Sequence, residues 1–290
     1  MIRVLNVPVM ALIRRLPLPA ARLAFRAYNK FLRTLGPEHV GTTYFGTRLH
    51  CNPRDLIQRM VLYFGVWEPD VSHVIQQNLK GGDVFVDIGA NIGYDTLLAS
   101  TRVGAAGRVV SIEASPRTFA LLQRNLALNP GATNVRAVNV AVSDRPGRLD
   151  LYEQDEGNIG AATTLASRGG SLMASVDALP LDKILTAEEV QKLRLVKMDV
   201  EGAEPPILRH LLDRLASYPP TMDIVVEASP EDDPAAWRDV FERLRAAGFS
   251  AWAIENDYEL EWYLRWRRPA ALQRVDALPE RQQDLLFTRR

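Results

Sequence analysis

The chain has 290 residues, 47% of them hydrophobic, and its 35 lysines and arginines are balanced by 35 aspartates and glutamates. This length and composition exclude a disordered or fibrous protein, and the zero net charge provides no general attraction to nucleic acid. The single cysteine, Cys51, excludes an intrachain disulfide and a cysteine-built zinc site, which fits a reducing, cytoplasmic compartment.

The first 35 residues carry Arg3, Arg14, Arg15, Arg22, Arg26, Lys30 and Arg33 and no acidic residue. Pro8, Arg14, Arg15, Pro17 and Pro19 keep any apolar run here short of the roughly 18 to 20 residues that a membrane span needs. Arg14 and Arg15 also argue against a secretory signal. From Ala20 to Leu35 the basic residues recur at helical spacing, with Ala24, Ala27, Tyr28, Phe31 and Leu35 on the other side and a stop at Gly36-Pro37. Two readings stay open for this helix: an appendage packed on the domain or on a second subunit, or a helix lying on the anionic face of a membrane. We therefore expect a basic helical appendage over residues 1–60 and one domain over residues 61–290.

FGVWEP at Phe64–Pro69 precedes a helical pattern that ends at Gly81-Gly82. Beyond it, short apolar runs alternate with helical patterns, as in a parallel sheet covered on both faces. Strands are expected at Val84–Asp87, Val109–Glu113, Val135–Val140, Leu195–Asp199, Ile224–Glu227, Ser250–Ile254 and Leu285–Thr288, with helices at about 93–102, 116–128, 205–217 and 234–247. A long insertion, Asp144–Arg194, holds a hairpin element at Arg148–Tyr152 and a small-residue loop at Gly157–Gly170. Insertions on the carboxyl side of such sheets often cover the ligand crevice, so substrate selection is expected there.

DVFVDIGANIG ends an apolar strand in Asp87 and turns into a helix through Gly89 and Gly93. Such a turn lets backbone approach a ligand and offers donors to a ligand carboxylate. The dinucleotide pattern G-x-G-x-x-G and the phosphate-binding P-loop are both absent. Glu113, closing the second strand, stands where a carboxylate can accept both ribose hydroxyls of a cofactor. LVKMDVEGAEPPIL places Asp199, Glu201 and Glu204 after the fourth strand, and Glu227 closes the fifth. Glu204 is equally well explained as an acidic helix start. The four histidines show no metal-ligand spacing, so no metal site is assigned. Tyr258, Trp262, Tyr263 and Trp266 form either a sugar-stacking surface or the packed side of a terminal helix, and we take the second reading.

Across Phe64–Thr288 the chain resembles the FkbM-type methyltransferases, through GVWEP, DVFVDIGANIGYDTLLAS, GRVVSIEASP, LQRNLALN, NVAVSD, LDKIL, LVKMDVEGAE, IVVEASP and DLLF. The pairing of DIGANIG with KMDVEGAE is the specific part. The resemblance implies an α/β, doubly wound Rossmann-like seven-stranded sheet with its last strand antiparallel. It also implies S-adenosylmethionine as cofactor and methylation of a hydroxyl on a glycan, glycolipid or secondary metabolite. The expected cofactor-binding residues are Asp87, Gly89, Ala90, Asn91, Gly93, Glu113, Ala114, Asn139, Ala141 and Asp199, and the expected catalytic residues are Asp199, Glu227 and Glu201. Two departures from the family pattern stand out: Glu113-Ala114 where Glu-Pro is usual, and Glu227-Ala228-Ser229 where a histidine usually follows. The second removes a histidine that could serve as ligand or base. Nitrogen or protein acceptors, and a cofactor-binding interaction module without catalysis, are the competing readings.

Overall fold

The computed structural model describes residues 6–153, 162–163 and 171–290. Helices α1 (Asn6–Ile13) and α2 (Leu18–Thr34) are followed by a hairpin of β1 (His39–Thr42) and β2 (Arg48–Cys51). Helices α3 (Leu56–Phe64) and α4 (Pro69–Asn78) then lead into β3 (Val84–Ile88), α5 (Tyr94–Val103), β4 (Arg108–Ile112), α6 (Pro116–Ala127) and β5 (Val135–Val138). After β6 (Ala141–Val142), the insertion contributes β7 (Gly147–Glu153), β8 (Ala162–Thr163) and β9 (Ser171–Leu179), then short helices α7 (Leu181–Ile184) and α8 (Ala187–Gln191). The chain continues through β10 (Leu193–Met198), α9 (Glu204–Asp213), β11 (Asp223–Ala228), α10 (Pro234–Ala246) and β12 (Ser250–Ile254). It finishes with α11 (Leu260–Arg265), β13 (Gln273–Val275) and β14 (Gln283–Thr288).

Among the described residues the main sheet has the order β13-β12-β14-β11-β10-β3-β4-β5. Strands β11, β10, β3, β4 and β5 run parallel, and β14 lies antiparallel between β11 and β12. This is the expected Rossmann-like sheet with its last strand reversed. It is extended by one edge strand, β13, whose polar sequence QRV gave no strand signal. Successive residues face opposite sides: Val84, Val86 and Ile88 join the core under α9 and α10, while Phe85 joins the core under α4 and α5. The chain passes from β3 outward to β5 and returns to β10 on the other side of β3. The topological switch therefore lies at the carboxyl ends of β3 and β10, where sheets of this kind bind ligands.

The amino-terminal elements share a core with the domain. Met10, Ile13, Phe25, Leu32 and Met60 pack in one cluster with Trp67, Ile92, Tyr94 and Tyr263. On α2 the buried stripe is Ala21, Phe25 and Leu32, whereas Ala27, Phe31 and Leu35 are exposed, a rotation from the face expected. Periodicity locates two stripes but does not say which one meets the protein. In the insertion, β7 pairs antiparallel with β9, giving the hairpin expected near Arg148–Tyr152, while most of the loop Gly157–Gly170 lies outside the described residues. No helix among the described residues is long and apolar enough to cross a membrane.

Candidate active site

Two adjoining cavities open at the switch point, and Gly89, Asn91, Asp199 and Glu201 border both. The first, of about 170 Å³, is walled by Leu56, Trp67, Glu68, Lys197, Glu227, Tyr258 and Gln282. The second, of about 60 Å³, lies over β4 between Ile112, Glu113, Val140, Ala141, Leu151 and Ala203. Ala114 borders the second cavity and Ala90 the first. Through Leu151, the described part of the insertion lines the Glu113 side of the crevice, beside Val142 of β6.

The glycine turn works differently from the expectation. A Cβ on Gly89 would stand 1.8 Å from the Asp199 carbonyl oxygen, and its φ is +79°. This glycine lets the ends of β3 and β10 touch. A Cβ on Gly93 would meet Leu122 at 2.4 Å, so that glycine seats α5 against α6. The N–H groups of Gly89 and Ala90 both donate to the Ile112 carbonyl, that of Asn91 to Glu113 and that of Gly93 to the Ala90 carbonyl. The donors at these four positions are thus spent inside the protein, leaving none of them to receive a ligand carboxylate. Asp87 is buried, accepts from Thr96 Oγ1 at 2.6 Å and borders neither cavity. Asn139 donates to the Glu113 and Ala114 carbonyls and so fixes the chain on which Glu113 is mounted.

Glu113 accepts one backbone N–H on each oxygen, from Asn91 and Ser115, both at 2.9 Å. A carboxylate offers about four acceptor sites, so two remain for hydroxyl donors at the cavity. Burial pushes its pKa up to about 7 against those two bonds. The second cavity thus sets the apolar walls Ile112, Val140 and Leu151 beside a carboxylate with acceptor sites to spare. The residues that could hold a cofactor across both cavities are Glu113 and the four that border both, Gly89, Asn91, Asp199 and Glu201.

The other end of the crevice is a carboxylate cluster around one buried lysine. Lys197, on β10, reaches Asp95 Oδ2 at 3.4 Å and Asp199 Oδ2 at 3.2 Å. Burial opposes its charge, but Asp199, Asp95, Glu68 and Asp87 together hold its pKa well above the usual lysine value. Tyr258 stacks on Trp67 with ring centroids 5.3 Å apart, and its hydroxyl lies 3.1 Å from Glu68 Oε1 and 3.0 Å from Glu227 Oε1. One phenolic proton cannot serve two carboxylates, so both contacts are good only if one carboxyl is itself protonated. The electrostatics agree: burial, then Asp199 and Asp284, push Glu227 up to about 10. Burial and Asp284 likewise raise Glu68.

Asp199, Glu201 and Glu227 all border the first cavity, whereas Glu204 turns inward and accepts from the Val200 and Gly202 N–H groups. Lys197, Asp95, Glu68 and Asp284 were not singled out in the sequence, although a lysine inside LVKMD was a usable sign of buried counter-charges. Of the aromatic group, Tyr263 is buried and Trp266 donates to Asp70, as packing requires, while Tyr258 belongs to the cavity. Among the described residues no group of three or more His, Cys, Asp or Glu side chains is arranged to hold a metal ion.

These raised carboxyls set a pH dependence. Asp284 titrates at about 6, Asp87, Glu113 and Glu204 at about 7 and Glu227 at about 10, all above the roughly 3.9 to 4.3 of an unfolded chain. A raised carboxyl pKa means that the folded state holds the proton more tightly. Its stabilising contribution is complete below the unfolded value and is lost as pH rises through the folded one. The raised Lys197 pKa contributes a constant amount over the same range. The melting temperature of the cofactor-free protein should therefore fall between pH 5 and pH 8 in calorimetry. A flat or rising profile would contradict this.

Residues 87–251 match the family described as Methyltransferase FkbM domain. Methyltransferase sdnD of Sordaria araneosa is 28% identical over 160 residues, 46% of this chain and 61% of that protein. Hexuronic acid methyltransferase AglP of Haloferax volcanii is 28% identical over 183 residues, 63% of this chain and 70% of that protein. Among solved structures, an S-adenosylmethionine-dependent O-methyltransferase of Thermotoga maritima aligns over 87% of this chain and 78% of its own, with 14% identity and a TM-score of 0.43.

Proposed function

We propose, from the premise that this chain belongs to the FkbM family of S-adenosylmethionine-dependent methyltransferases, that it methylates a hydroxyl group of a sugar-containing or other polyhydroxylated small molecule. The observation that carries the choice of acceptor is the wall of the first cavity. There the Trp67–Tyr258 stack stands beside the Glu68 and Glu227 carboxyls, giving an aromatic face next to hydrogen-bond acceptors. Sugars and similar polyols offer the matching pair, a C–H face for the rings and hydroxyls for the carboxyls. The hexuronic acid named for AglP is an acceptor of this chemistry.

When bound, S-adenosylmethionine supplies an electrophilic methyl on a sulfonium that carries one positive charge. Glu113 would hold its ribose, and Asp199, on the wall shared by the two cavities, would stand at the sulfonium. Asp199, Glu68, Glu227 and Asp284 lie close enough to raise one another's proton affinity around Lys197, and a further cation there would favour their ionised forms. A positive charge placed there lowers the Glu227 pKa and frees its carboxylate to accept the proton of the acceptor hydroxyl. Tyr258, within hydrogen-bond distance of both Glu227 and Glu68, gives that proton a route onward. Glu201 borders both cavities in a left-handed conformation, φ 55°, and would orient the acceptor.

Incubation with methyl-labelled cofactor and a panel of hexuronic acids, glycosides and phenolic metabolites tests the reading. A product gaining one methyl as an ether is expected, and a methyl ester as the sole product would overturn the choice of a hydroxyl. A methylated amine or peptide as the sole product would overturn the choice of acceptor, and cofactor binding without turnover on any extract fraction would favour the interaction module.

A further inference from the structure

We propose that α2 lays its outward face on an anionic lipid surface. Ala21, Phe25 and Leu32 anchor the helix to the protein. At about 100° per residue, the opposite half divides lengthwise into two strips. Arg22, Arg33, Arg26 and Lys30 occupy one strip, and Leu23, Ala27, Phe31 and Leu35 the other. Leu23 is 72% and Phe31 55% exposed, and with Leu12, Leu16 and Leu35 they make five of the nine large hydrophobic side chains exposed among the described residues. On α2 the exposed Leu23 and Phe31, with Leu35 just beyond its end, make an apolar strip beside the basic one.

Charge decides among the occupants. The first 35 residues hold seven cations and no anion in a chain whose net charge is zero. Arg22 pairs with Glu261, and none of Arg26, Lys30 and Arg33 pairs with a carboxylate among the described residues. A second copy docked through a two-fold axis would present this patch to itself and bring like charges together. A nucleic-acid backbone would satisfy the cations and leave Leu23 and Phe31 in water. An anionic bilayer takes both strips at once, headgroups on the cations and the acyl boundary on the apolar side chains, as interfacial helices do. With no membrane-spanning helix among the described residues, contact of this kind is peripheral and reversible. The helix is also tied to the cavity wall by aromatic contacts, Phe25 to Phe64, Phe64 to Tyr263, Tyr263 to Trp67 and Trp67 to Tyr258. Docking of α2 would therefore fix how the acceptor cavity stands relative to the surface.

The test is flotation of the full chain with phosphatidylcholine vesicles that contain or lack phosphatidylglycerol, at low and high salt. The expected result is partition to the anionic vesicles alone, weakening as salt rises. The double variant Arg26→Glu/Lys30→Glu should lower partition on the order of 25-fold or more, because each cation is worth roughly fivefold near such a surface. Leu23→Ser/Phe31→Ser should lower it as well, while thermal unfolding and cofactor affinity of both variants stay as in the parent. Absence of partition, equal partition to neutral vesicles, or partition unaffected by both double variants would each overturn the proposal. So would a concentration-dependent dimer, abolished by the Leu23/Phe31 variant, in place of vesicle binding.

Discussion

Replacing Glu227 by glutamine is expected to lower methyl transfer by about 100- to 10,000-fold, the range typical for removal of a positioned general base. The variant keeps the size of the side chain and its ability to meet the Tyr258 hydroxyl, now 3.0 Å from Glu227 Oε1. What it loses is the capacity to take a proton. An unactivated alcohol is a weak nucleophile, and Glu227 faces the cavity that Trp67 and Tyr258 also wall. Because Glu227 is neutral at pH 7 before a cation arrives, cofactor affinity of the variant should stay within a few fold of the parent. Initial rates with labelled cofactor, beside calorimetric binding, separate the two quantities. Full turnover in the variant would remove Glu227 from the mechanism, and activity lost to a chelator and restored by magnesium would replace the base with a metal-activated hydroxyl.

Lys197→Met should cost about 3 to 5 kcal/mol of stability, the usual penalty for removing one partner of a buried ion pair. Asp95 and Asp199 would then face each other without the ammonium that now stands 3.4 and 3.2 Å from them, in a site where the Lys197 and Asp95 side chains are 7% and 8% exposed. For a chain of this size that loss lowers the melting temperature on the order of 10 °C. The deficit has a sign in pH. Burial already raises the Asp95 carboxyl pKa, so acidification neutralises it and the variant should recover toward the parent near pH 5. Adding Asp95→Asn should recover part of the loss at pH 8. Equal melting temperatures of variant and parent at both pH values would show that the lysine is not holding the cluster together.

Much of this site was legible because it is local. Asp87, Gly89, Gly93, Glu113, Asp199 and Glu227 sit at strand ends or in the turns that follow, and an apolar run ended by a carboxylate or a glycine marks such a place in any parallel sheet. The roles within the turn were less legible. Only packing shows that Gly89 makes room for the Asp199 backbone and that the Asn91 N–H is used by Glu113. Lys197 left a sign, a cation inside an otherwise apolar buried strand, but its partner Asp95 lies on α5 about a hundred positions earlier. Glu68 left none, and Tyr258 only its place in an aromatic group read as helix packing. They meet across a separation of 190 residues, with Glu68 held at φ 41°, and neither hydrophobic period nor turn chemistry encodes such a contact. The face of α2 was misread for a related reason: a helix with two apolar stripes does not state which of them finds the protein.

The central claim is that S-adenosylmethionine lies across the ends of β3 and β10 with its ribose on Glu113, and calorimetric titration of the cofactor into the parent chain and Glu113→Ala tests it most directly. Glu113→Ala also leaves the Asn91 and Ser115 N–H groups without their acceptor, so the variant's thermal unfolding is measured beside its binding and affinity is read on folded protein. Removing hydrogen bonds to a charged group costs about 1.5 to 3 kcal/mol, so the parent should bind and the variant should bind tenfold more weakly or worse. No binding by the parent, or the same affinity in both, would contradict the account.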